Sequence, residues 1–196
     1  MPARSGEVPV CALDNKKGIT VVFEGGSSAG VGIDEEVQWN NKPALGLRGD
    51  WAMAWDSVIL ELKPVELAGE PDTVYLAFKS DTNLIGKIQV TIKDSKGETL
   101  QTTLSKSVNN ADWQELQAPL PGLEAVWDGG DASHRLNPPC VLTSLIIYAR
   151  QPARATVFFS ILRLNCANQS RRPNKAATPS GAFRALGGDQ LFQPGQ

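Results

Sequence analysis

Trp39 stands between Gln38 and the pair Asn40-Asn41, so a flat aromatic ring is bracketed by planar amides. Trp51 follows Arg48-Gly49-Asp50, which brings a rigid fork of guanidinium donors close to an indole. A third group lies between Pro119 and Cys140, where Trp127-Asp128 is followed by Asp131, His134 and Arg135. Connections this long without structure of their own are often functional. Aromatic faces stack on the apolar C–H side of a pyranose, and planar polar groups hydrogen-bond its hydroxyls. A partly apolar cleft with a few polar anchors is the general form of such a site. The residues suited to that chemistry are Trp39, Arg48, Trp51, Trp127, Asp131, His134 and Arg135. Each also has a plainer reading: local packing for Trp39, core beside an Arg–Asp surface pair for Trp51, a plug for Trp127. Trp55 and Trp113 lie in apolar strands and read as core.

Bond-breaking chemistry has less material. Glycoside hydrolysis needs two carboxyl groups across the scissile bond, one with a raised pKa. Asp128 and Asp131 share a polar loop where nothing desolvates either. A lyase would have to draw on His134, Arg135 and Tyr148, and the chain has only one histidine. There is no Ser-nucleophile elbow, and Gly25-Gly26-Ser27-Ser28 lacks the Lys and helix of a phosphate loop. Binding, not catalysis, is the expected role, with a polysaccharide lyase or hydrolase a distant third reading.

The three cysteines, Cys11, Cys140 and Cys166, form no metal-ligand spacing. A disulfide between two of them would leave one thiol over. Cys11 and Cys166 could meet if the terminal strands pair, and buried reduced thiols are the alternative.

The net charge of −2 and the absence of a Lys/Arg stripe argue against a nucleic-acid partner. No stretch approaches the roughly 18 apolar residues of a membrane helix, so no membrane partner is expected. Residues 1–10 show no apolar signal core. The protein is therefore intracellular, or its export signal lies outside this sequence.

Period-two alternation between turn signals dominates the chain. Strands are expected over 19–24, 43–48, 73–80, 86–94, 98–105, 112–118, 141–150 and 155–164, with a weak strand or loop at 37–40. Residues 51–62 change phase at Asp56, as one bulged strand or two strands would. Asp94-Ser95-Lys96-Gly97 is a hairpin turn, with Gly97 free to adopt positive φ. Nine or ten short strands without sustained helical periodicity specify an all-β, two-sheet antiparallel sandwich over residues 1–166. Residues 167–196, rich in Pro, Gly, Ser, Asn and Arg, read as a linker-like or disordered tail.

The order of landmarks carries a resemblance: Phe23-Glu24, Pro43 to Leu47, a Trp-bearing strand at Trp55, Val74 to Phe78, Ile88 to Asp94, Trp113 to Leu116 before Pro119-Leu120, then Leu145 to Ile147 and Val157 to Phe159. Over residues 19–164 the chain resembles galactose-binding-like jelly rolls, in particular the carbohydrate-binding modules of polysaccharide-degrading enzymes. The resemblance implies a non-catalytic module that holds an associated enzyme or surface near a polysaccharide or oligosaccharide. It also implies a neighbouring catalytic domain and an extracellular or periplasmic location. The alternative is an accessory sandwich for protein interaction, packed on a neighbouring domain. Members often bind a structural calcium through an early Glu, here Glu24, and an acidic residue in the last strand. That second residue has no counterpart in Val157 to Leu164.

Overall fold

The computed structural model describes residues 7–13, 16–67, 71–105, 111–120, 125–127 and 135–166. The expected tail and much of the 119–140 connection, including Asp131 and His134, lie outside them. The described residues contain no helix and form twelve strands. In order these are β1 (Glu7–Ala12), β2 (Ile19–Phe23), β3 (Ser28–Trp39), β4 (Lys42–Trp51), β5 (Ser57–Leu67) and β6 (Pro71–Ser80). They continue with β7 (Ile85–Lys93), β8 (Thr99–Ser105), β9 (Gln114–Pro119), β10 (Ala125–Trp127), β11 (Cys140–Ala149) and β12 (Ala153–Cys166).

Two six-stranded antiparallel sheets face each other. The first runs β3-β4-β12-β6-β9, with β1 on the far half of β12; the second runs β10-β8-β7-β11-β5-β2. Alternation puts Leu45, Leu47, Leu76, Phe78, Val157 and Phe159 of the first sheet against Val58, Leu60, Ile88, Val90, Leu145 and Ile147 of the second. Burying each such side chain contributes about 1.5–3 kcal/mol, which makes this layer the main source of stability.

The hairpin expected at Asp94-Gly97 joins β7 to β8, with Gly97 at φ 85°. Two other segments differ from the sequence reading, and a third resolves an alternative it left open. The break expected at Gly49-Asp50 does not occur, and β4 runs on to Trp51. Gly49 is required by packing: a Cβ there would stand 2.4 Å from the Trp51 ring. Of the two arrangements left open for residues 51–62, the structure has two strands: β4 ends at Trp51 and β5 begins at Ser57 in the other sheet, across a corner in which Trp55 adopts φ 65°. Residues 28–39 form one long strand, irregular between Asp34 and Gln38, where Asp34 Oδ1 accepts the amides of Glu36 and Val37. It ends in a hairpin whose two turn residues, Asn40 and Asn41, both have positive φ.

The terminal strands do pair, but the register keeps Cys11 from Cys166. Cys11 lies opposite Leu162, which leaves its Cα about 13 Å from that of Cys166 along the strand. A disulfide spans no more than roughly 7 Å between Cα atoms. Cys140 is a buried free thiol, pushed up to about 11 by burial and then by the nearby Asp94 charge.

Candidate functional site

The second sheet offers the more organised outer surface. Strand register lines up its outward side chains in rows across the strands. One row runs Val22, Ile59, Ile146, Gln89, Thr103; the next runs Thr20, Glu61, Ser144, Thr91, Gln101. Outward positions of a sandwich are ordinarily solvated, yet here Gln89 is 4%, Thr91 7%, Gln101 1% and Ser144 8% exposed. These side chains are largely covered by their neighbours, and the middle of the face holds a groove of about 380 Å³ lined by Ile59, Glu61, Thr91, Gln101, Ser144 and Ile146 among others.

Hydrogen bonds hold the polar side chains in place. Gln101 Nε2 donates to Thr91 Oγ1 and Gln89 Nε2 to Thr103 Oγ1, each at 3.3 Å. Both amide planes are thereby fixed while their oxygens remain acceptors. Thr143 Oγ1 donates to the Thr91 carbonyl at 3.2 Å. At one end of the face Tyr148 pairs with Ser57 and Lys87, and the Lys87 ammonium lies 4.3 Å from the Tyr148 ring centre. Burial, followed by the Glu24 charge, pushes the Tyr148 hydroxyl upward, so it stays protonated at neutral pH.

The same end carries the exposed rings. Trp55 is 55%, Met53 63% and Phe23 45% exposed. The corner bearing Trp55 and the end of β2 are joined by the Glu24 amide donating to the Ser57 carbonyl, while the Trp55 amide donates to the Ala149 carbonyl at 2.7 Å. The Trp55 ring packs on Gly86, where a Cβ would stand 2.8 Å from it. Trp55 was expected in the core; the left-handed backbone at this residue turns its ring outward instead.

The residues singled out in the sequence do not converge. Trp51 is 1% exposed and its indole N–H donates to the Ile147 carbonyl at 3.3 Å. It is a core residue and offers no face to a ligand. Trp39, the last residue of β3, is half-buried against Trp113, ring centres 5.4 Å apart. Trp113 was expected in a core strand, but it immediately precedes β9 and is itself only half-buried. Arg48 is exposed on the outer face of the first sheet, far from the groove in topology. Arg135 is exposed beside the β7–β8 turn, and its carbonyl accepts from Asn137 Nδ2. Backbone pairing places Trp127 opposite Thr99 on the β8 edge of the second sheet. Asp131 and His134 lie outside the described residues. Glu24 is exposed and accepts from the Ser57 hydroxyl at 3.0 Å. A calcium ion takes six to eight oxygens. Among the described residues no three His, Cys, Asp or Glu side chains gather to hold a metal.

The groove residues escaped sequence reading because each is one polar letter in an alternating strand. The available signal was the choice of Gln and Thr, not Lys or Glu, at outward positions 89, 91, 101 and 103.

Two layers of this topology define a β-sandwich of the kind seen in carbohydrate-binding modules. No protein-family model matches the chain, and no curated protein is similar to it in sequence. Among solved structures it is similar to the family 11 carbohydrate-binding module of the cellulosomal cellulase Lic26A-Cel5E of Clostridium thermocellum, with TM-score 0.60 and 13% identity over 83% of this chain and 95% of that one. The family 11 module from Clostridium thermocellum in complex with a β-1,3-1,4-mixed-linked tetrasaccharide gives TM-score 0.62 at 12% identity, covering 83% of this chain and 96% of that one. A family 30 module of the cellulosomal cellulase Cel9D-Cel44B of Clostridium thermocellum gives TM-score 0.51 at 20% identity, covering 83% and 98%. At these identities the likeness is one of fold.

Proposed function

We propose that this protein is a non-catalytic carbohydrate-binding module whose glycan lies across the strands in the groove of the second sheet. The observation that carries this reading is the set of outward polar side chains Thr91, Gln101 and Ser144 lining the groove, with Gln101 held on Thr91 and, in the adjacent row, Gln89 held on Thr103. Amides and hydroxyls fixed before binding lose little entropy when they meet sugar hydroxyls. Val22, Ile59 and Ile146 supply an apolar strip beside them, and Trp55 offers an exposed ring at the end of the face. Glu61 is the only carboxylate among the described lining residues, whereas glycoside hydrolysis uses two. The groove suits holding a chain more than cutting it. An extracellular or periplasmic setting, beside an enzyme acting on the same polysaccharide, fits this role.

Native affinity gels cast with soluble polysaccharides test the reading. Wild-type protein is expected to be retarded by at least one neutral glucan or galactan. Gln89→Ala and Gln101→Ala should each weaken retention about tenfold while unfolding stays cooperative. Retention that survives both changes, or no retention by any glycan, sinks the proposal. A second reading has its own observation: the apolar corner of Phe23, Met53 and Trp55 fits packing against a neighbouring catalytic domain. Trp55→Ala separates the two, since a glycan contact changes gel retention and a docking contact does not.

A further inference from the structure

The outer face of the first sheet carries another hollow, on the opposite side of the sandwich. Two adjoining depressions of about 430 and 360 Å³ share Gly30, Arg48 and Thr156. Register sets three rows along it: Ser28–Asp50–Arg154, Gly30–Arg48–Thr156 and Gly32–Gly46–Phe158. The half-buried Phe158 ring lies over Gly46, 3.4 Å from where a Cβ would be.

The charged groups here are satisfied with one exception. Arg154 Nε donates to Asp50 at 2.7 Å. Asp81 accepts the Thr156 amide at 2.9 and 3.0 Å. Asp34 Oδ1 accepts two backbone amides. Arg48, exposed in the middle of the trough, makes no hydrogen bond or ion pair with any described residue. The floor beside it is bare for no internal reason. A Cβ at Gly30 or Gly32 would touch nothing within 4 Å, and neither residue has positive φ. Glycine weakens a strand, and within one it often marks a place where a ligand approaches the backbone.

We infer that this trough is a second binding site, for a carboxylated oligosaccharide of the uronate type. The Arg48 fork takes the carboxylate in a bidentate pair. Phe158 gives the apolar face of the ring a flat partner. The Thr156 side chain lines both depressions and offers a hydroxyl to the sugar, while Arg154 neutralises Asp50 and the Thr156 amide engages Asp81. The strands involved are different from those of the neutral-glycan groove, so the inference stands whether or not that groove binds.

Titration calorimetry of the full chain with oligogalacturonate, with the same oligomer after its carboxylates are reduced to alcohols, and with oligoglutamate tests this site. The uronate oligomer is expected to bind at least tenfold tighter than either comparison ligand. Arg48→Ala and Gly32→Val should each weaken uronate binding tenfold or more at unchanged melting temperature, whereas Gln101→Ala should leave it intact. Equal binding of acidic and reduced oligomers, equal binding of the peptide, full binding by Arg48→Ala, or no uronate binding overturns the assignment. Loss in Gln101→Ala alone moves the ligand to the other face and overturns it too.

Discussion

Trp51 and Trp55 show how far residue type alone reaches. The two indoles are separated only by Ala52, Met53 and Ala54, yet one is core and the other solvent-facing. What separates them is backbone: Gly49 leaves room for the first ring, and positive φ at residue 55 throws the second outward. Neither feature is visible in an apolar run. Gly49→Ala should therefore cost about 1–3 kcal/mol by overpacking the Trp51 ring, and Trp51→Ala about 3–5 kcal/mol. Urea unfolding monitored by far-UV circular dichroism measures both.

Asp94 supports a prediction about pH. Burial opposes its charge, but hydrogen bonds from the Asn137 side chain and from the Glu98, Lys96 and Asn137 amides outweigh that and hold its carboxyl below the ordinary 3.8. A pKa lowered on folding gives stability that is complete above the unfolded value and lost as pH falls through the folded one. The wild type should therefore lose stability below about pH 4. Asp94→Asn should be less stable at pH 7 and show a flatter acid limb in unfolding titrations. A limb unchanged by the substitution would exclude Asp94 as its source.

At the scale of elements, legibility followed hydrophobic contrast. β6, β7, β8 and β11 alternate strongly between turn residues and stood out from sequence. β3 did not, because Gly30, Gly32 and the Asp34-Glu35-Glu36 run erase the apolar period that marks a strand. It exists because β4 supplies a hydrogen-bonding edge and because Asn40-Asn41 forms a tight turn with both residues left-handed. Asn tolerates that conformation better than other side-chain-bearing residues. Asn41→Ala should cost about 1 kcal/mol and Asn41→Gly should cost nothing or stabilise slightly, as read from paired thermal melts. The groove belongs to this scale as well. Gln89, Thr103 and Ile146 become neighbours only through register, which depends on which strands pair and not on any one strand's letters.

For the whole molecule, the two-layer sandwich was evident from strand count and turn spacing, whereas the groove proposed to bind glycan was not. The aromatic and charged residues conspicuous in the sequence are scattered over both sheets and their loops, while the covered polar rows lie in the middle of one sheet. The pairing of β1 with β12 gives a prediction at this scale. Removing residues 1–12 leaves the Ile161–Asn165 stretch of β12 as an open edge, and such edges invite association. The truncated protein should melt earlier and sediment as larger species. Because Cys11 and Cys166 are out of register, reductant should leave the melting temperature of the intact protein unchanged.

Glu7 sits directly opposite Asn165, at a separation of about 5 Å between antiparallel neighbours. The polypeptide thus arrives and departs through one narrow doorway. A host chain interrupted by this unit would not have its own two halves pushed apart. By the same logic, a variant with those neighbours joined by a few residues and the backbone reopened at a distant turn would keep every strand beside its present partners.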